Sequence, residues 1–152
     1  MRKKIIAVIG AGTADDAILK IAEEVGKLIA IKGAVLICGG LGGVMDTASK
    51  GAKSVGGITV GILPQNHTKD ANPNIDIPLA TGFGEGRNVI IARTADAIIA
   101  VGGEYGTLSE IAFGLKMGKP VIGIGTWDIK GTIKAKNAED AVEKAFELLS
   151  YT

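Results

Sequence analysis

Three short stretches of this 152-residue chain combine residue types and spacing that could do chemistry: IGAGTADDA from Ile9, CGGLGGVMDTA from Cys38 and AVGGEYGTLSE from Ala100. Each closes an apolar run with glycines and then opens a helical pattern. Amides left free at a helix start, beside glycines that let a ligand approach, suit a phosphate. On this reading the binding residues are Gly10 and Gly12, then Gly39, Gly40 and Gly43, then Gly102, Gly103, Gly106 and Thr107. The amides of Gly42, Gly43 and Val44 are candidates to face an anion. Arg87, after Gly84-Glu85-Gly86, would bring a forked cation to the same rim. Its alternative is a surface arginine paired with Glu85, which contributes little. Thr107 and Glu110 also fit S/T-x-x-E, the capping box, in which each side chain serves the other's backbone amide and nothing is bound.

Other chemistries find no support. The third glycine of a dinucleotide fingerprint would fall on Asp15, where a carboxylate would face the pyrophosphate, and the phosphate-loop pattern ending in Gly-Lys-Ser/Thr is absent. No Cys/His cluster has ligand spacing, so no metal site is expected. No G-x-S-x-G elbow is present. The lone His67 sits in a polar loop and reads as solvated. The single cysteine, Cys38, excludes an internal disulfide and reads as a small buried residue in a reducing, cytoplasmic protein. A net charge of +1 and the scarcity of aromatics argue against a nucleic-acid partner. No apolar run approaches about 18 residues, so no membrane span is expected, and MRKKIIAVIG breaks at Gly10 as a strand end rather than continuing as a signal peptide.

The elements that must position these residues follow from apolar patterning. Short continuous apolar runs at Lys4–Ile9, Ala34–Ile37, Thr59–Leu63, Ala97–Val101 and Val121–Ile124 predict strands buried on both faces, with a further short strand over Ile77–Thr81. Between them, helices are predicted from Ile18 to the Lys32-Gly33 stop, over Met45–Val55, Asn88–Arg93 and Leu108–Met117, with a last one over Ala138–Leu149. Residues 65–78 form a polar loop that could close over a site, and 126–137 a polar connection. Strands alternating with helices predict right-handed crossovers and a parallel sheet, hence an α/β, doubly wound, Rossmann-like fold in one domain, 1–152. Ligands bind such sheets at the carboxyl ends of the strands, where all three glycine turns fall. Val89, Ile90 and Ile91 read as an exposed apolar set that a second subunit would cover, giving a homodimer or higher oligomer.

GRNVIIARTADAIIAVGGEYGTLSE resembles the R-K…P-G-G-x-G-T-x-x-E signature of the Lonely-Guy-like superfamily, long mislabelled as lysine decarboxylases. CGGLGGVMDTASKGA resembles its companion G-G-G-x-x-G-x-M turn, which adds Met45 to the binding set. The likeness covers nearly the whole chain and is nearest to a short bacterial branch similar to the molybdenum cofactor carrier proteins of algae. It implies a phosphorylated, nucleotide-like small molecule as partner, with no required cofactor of its own; a bound nucleotide or molybdopterin-type ligand is the expected cargo. Pyridoxal phosphate has no chemical basis here. Cytokinin-activating members hydrolyse the N-glycosidic bond of nucleoside 5′-monophosphates, which would make Arg87 and Glu110 the catalytic pair and Gly103, Gly106 and Thr107 the phosphate turn. Three departures make the rim less positive: Glu104 stands in place of a glycine, Asn88 in place of a lysine, and Asp46 in place of a glycine. Carrier and hydrolase both remain open readings.

Overall fold

The apolar runs do become strands, because residues that are apolar in succession can be buried only where helices cover both faces of a sheet. The computed structural model describes residues 2–150. In chain order the elements are β1 (Ile5–Ile9), α1 (Asp16–Ile31), β2 (Val35–Cys38), α2 (Val44–Ser54), β3 (Thr59–Leu63), β4 (Ile77–Ala80), α3 (Arg87–Thr94), β5 (Ala97–Val101), α4 (Tyr105–Lys116), β6 (Val121–Ile124), β7 (Ile133–Lys134) and α5 (Ala138–Leu149). A single 3₁₀ turn over Gly84–Gly86 leads into α3. The strands form one sheet in the order β4-β3-β2-β1-β5-β6-β7, and every neighbouring pair is parallel. This is a Rossmann-like α/β sheet: the chain winds outward from β1 to β4, then restarts beside β1 with β5. The carboxyl ends of β1 and β5 therefore diverge into a crevice.

The period-2 alternation of each strand divides its side chains between two cores. Ile6 and Val8 of β1 join Ile99 and Val101 of β5 under α1, α2 and α5. Ala7, Ile9, Ile98 and Ala100 face the other way, packing with Ile91 and Ala92 of α3 and Ile111 of α4. Two glycines inside helices set the closest helix contact. A Cβ on Gly26 of α1 would overlap the carbonyl oxygen of Ala48 in α2, and one on Gly51 of α2 would overlap that of Glu23. The two backbones touch there.

Several boundaries differ from expectation for identifiable reasons. Helix α4 begins at Tyr105 rather than Leu108, because Gly106 and Thr107 sit inside its first turn instead of before it. A seventh strand, β7, lies within the polar connection; two residues are too few to show a period. The predicted exposed set is not exposed. Ile91 is fully buried in the second core, and Ile90 packs against it, because the helix turns those residues inward. The large apolar side chains that do face solvent include Phe83 and Tyr105. No helix among the described residues is long and apolar enough to cross a membrane.

Candidate functional site

At the β1/β5 crevice lies a cavity of about 470 Å³. One wall is the end of β1 and its turn, Val8 to Thr13, with Gly39 and Met45 beside it; the other is Arg87 and Asn88 of α3 with Glu104, Gly106, Thr107 and Glu110 at the start of α4. Of the residues singled out in the sequence, Gly10, Gly12, Gly39, Met45, Arg87, Gly106, Thr107 and Glu110 line this one space. Gly40, Gly43, Gly102 and Gly103 do not.

Those four glycines have packing and hydrogen-bonding work of their own. Gly43, at φ +63°, lets the start of α2 press on the first turn, where a Cβ would overlap the Ala11 carbonyl oxygen. The Val44 amide donates to that same oxygen at 3.1 Å, so it is not open to an anion. The Gly40 carbonyl accepts from the Asn72 amide at 2.9 Å, and Asn72 Nδ2 donates to Leu41 O at 2.8 Å. These bonds, with Asn74 Nδ2 donating to Asp46 Oδ1 at 2.8 Å, pin the 65–78 loop onto the second glycine turn. No residue of that loop lines the cavity, and Asp46 is turned toward the loop rather than the rim. Gly102 donates its amide to Ile124 O, fastening β5 to β6. A Cβ on Gly103 would strike the Thr107 side chain, which occupies that space instead.

The capping box does not form. The N-cap of α4 is Glu104, whose side chain makes no cap bond, and Thr107 is the third helical residue. The amides of Tyr105, Gly106 and Thr107 have no acceptor among the described residues, as expected of a first helical turn. They stand at the positive end of the helix dipole. Helix α1 differs: its N-cap Asp15 already accepts from the Ile18 amide at 2.9 Å.

Arg87 is held by backbone oxygens. Its Nε donates to Ile62 O at 2.9 Å and Nη2 to Gly39 O at 3.5 Å, while Nη1 donates to Asn88 Oδ1. Gly39 is required for this seat, since a Cβ there would lie 2.6 Å from Nη2. Asn88, which sequence reasoning noted only as a departure, is buried and ties α3 to α4 through Nδ2 donating to Ser109 Oγ at 3.3 Å. Thr13 and Glu104 also line the cavity; nothing in its local sequence separates Thr13 from an ordinary turn residue, and Glu104 stood out in the sequence only as a departure from the family turn.

Glu110 is 7% exposed and makes no hydrogen bond or ion pair among the described residues. Burial pushes its pKa up to about 8, against a smaller opposing pull from Arg87, while burial lowers that of Arg87. Its folded pKa therefore exceeds the unfolded carboxylate value. The stabilisation linked to its proton is fully present below about pH 4.5 and is lost as pH rises to about 8. The urea midpoint is expected to fall between pH 6 and 9, and Glu110→Gln should flatten that fall. Among the described residues, no group of three or more His, Cys, Asp or Glu is placed to hold a metal ion.

The model of the SLOG cluster4 family matches residues 3–149. The molybdenum cofactor binding protein of the phototrophic bacterium Rippkaea orientalis superimposes with a TM-score of 0.94 at 40% identity, over 98% of this chain and 99% of that one. The molybdenum cofactor carrier protein of Chlamydomonas reinhardtii does so with a TM-score of 0.90 at 36% identity, over 98% and 99%. A cytokinin riboside 5′-monophosphate phosphoribohydrolase of Mycobacterium tuberculosis is 32% identical over 120 residues, which are 72% of this chain and 64% of the enzyme.

Proposed function

The chain belongs to the SLOG cluster4 family, and from that premise we propose that it binds a phosphorylated pterin-type molybdenum cofactor as cargo and carries it. The observation that carries this reading is the end-to-end likeness to molybdenum cofactor binding and carrier proteins. The cavity chemistry supports it. The phosphate would meet the open amides of Tyr105, Gly106 and Thr107, the Thr107 hydroxyl and the fork of Arg87. Gly10, Gly12, Gly39 and Met45 would let the planar part lie close to backbone. The protein acts as one domain and a homo-oligomer in the cytoplasm, with exposed Phe83 and Tyr105 supplying apolar surface for self-association.

A second reading, favoured by the phosphoribohydrolase relative, is hydrolysis of a nucleoside 5′-monophosphate to free base and ribose 5-phosphate. Glu110 would then steady a cationic ribose and activate water while Arg87 held the phosphate. Incubation with a panel of nucleoside monophosphates, with free base followed by chromatography and Glu110→Ala as control, separates the two. The carrier reading expects phosphate-dependent binding without base release. Release that is lost in Glu110→Ala would replace it with the hydrolase.

A further inference from the structure

We propose that Glu110 enters ligand binding as an uncharged acid, donating its proton in a hydrogen bond to an oxygen acceptor of the ligand. This rests on the ligand reading above and specifies what the buried end of the cavity recognises. Glu110 is a buried carboxyl, open to the cavity, that satisfies none of its hydrogen-bonding capacity among the described residues. A charged carboxylate in such a place would call for a cation or several donors. None is supplied. Arg87, from α3, has turned its nitrogens to Ile62 O, Gly39 O and Asn88 Oδ1, and no ion pair joins it to Glu110.

The other groups facing this end do not supply one either. From β2 comes Cys38, fully buried, its thiol pushed up by burial and hence neutral. From α2 comes Met45, and from the β1 turn only Thr13 and backbone. Glu104, exposed at the cavity mouth, adds a carboxylate to the lining and no cation. The raised pKa of Glu110 agrees with this geometry. A neutral carboxyl offers one O–H donor, which suits a ring carbonyl or a phosphate oxygen and not a cationic ring. It also leaves Arg87 as the cavity's unneutralised cation for the phosphate.

Guanosine 5′-monophosphate is a suitable probe, because guanine shares the 2-amino-4-oxopyrimidine ring of pterins. Its phosphate is doubly ionised above about pH 7, so that group does not confuse the range of interest. Calorimetric titration from pH 7 to 9 is expected to show affinity falling toward about tenfold per pH unit once Glu110 ionises. Glu110→Gln keeps a donor and should bind within about threefold of the low-pH wild type, with no such fall. Parallel titrations with inorganic phosphate and with guanosine assign the acceptor: the pH-dependent loss follows whichever probe holds the oxygen. Binding that is flat or strengthens from pH 7 to 9, or a Glu110→Gln protein that binds as weakly as Glu110→Ala, overturns the proton donation while leaving the ligand site standing. Failure of both guanosine monophosphate and phosphate to bind the wild type at any pH overturns the ligand reading itself, and this inference with it.

Discussion

Gly26→Ala is expected to destabilise the protein by about 3 kcal/mol, read as a lower urea midpoint with an unchanged slope. The sign is what makes the experiment informative. Alanine is favoured over glycine inside a helix by about 1 kcal/mol, so a Gly26 with room beside it would stabilise on substitution. Here the new Cβ would overlap the Ala48 carbonyl and stand 3.0 Å from Ala48 Cα, and backbone cannot rotate aside as a flexible side chain can. Moving α2 away from α1 would open the core that both helices share with β1 and β2. Gly51→Ala should act similarly through Glu23 O, and the double variant should lose less than the sum because both contacts belong to one crossing. Gly12→Ala is the control: a Cβ there meets nothing within 4 Å, so stability should stay within about 0.5 kcal/mol.

Arg87→Ala is expected to weaken phosphate-dependent binding about a hundredfold, close to 3 kcal/mol, measured with guanosine monophosphate near pH 7. Arg87→Lys should recover only part of this, since an ammonium cannot reproduce the fork seated against Ile62 O and Gly39 O. Stability should change by only about 1 kcal/mol, because the hydrogen bonds to neutral carbonyls are lost together with a partly desolvated charge. A loss of affinity below about threefold would place the phosphate away from Arg87.

The sheet was legible in the sequence because β1, β3, β5 and β6 are apolar in succession, a pattern that survives any detail of packing. The turns were legible as strand ends for the same reason. What each glycine does there was not. Gly39 and Gly43 stand in one run, yet Gly39 makes room for an arginine from α3 while Gly43 makes room for the β1 turn, and both neighbours are distant in sequence. Gly26 and Gly51 lie inside helices, where sequence shows only a mild loss of propensity and not the backbone pressed against them. Thr107 and Glu110 matched a local rule, S/T-x-x-E, but the helix starts earlier, and Glu110 faces the cavity. The resemblance to the Lonely-Guy-like superfamily agrees with the family match and placed Arg87 and Glu110 together, as they are in the fold. Asn88 escaped because the resemblance made it a lost lysine, when its role is a bridge between two helices.

The outermost strands bear on how this protein avoids sticking to itself in the wrong way. Thr81, just beyond β4, donates to Leu63 O, so by alternation Pro78 turns its backbone outward. Proline has no amide hydrogen to offer there, and the row of donors along that border is broken. At the opposite border β7 is only two residues long. Neither border can template a continuous ladder with a neighbouring chain, which guards a parallel sheet of this hydrophobicity against amyloid-like growth. Any association between copies would then have to proceed through side chains on helices and loops, where geometry can limit it to a closed assembly.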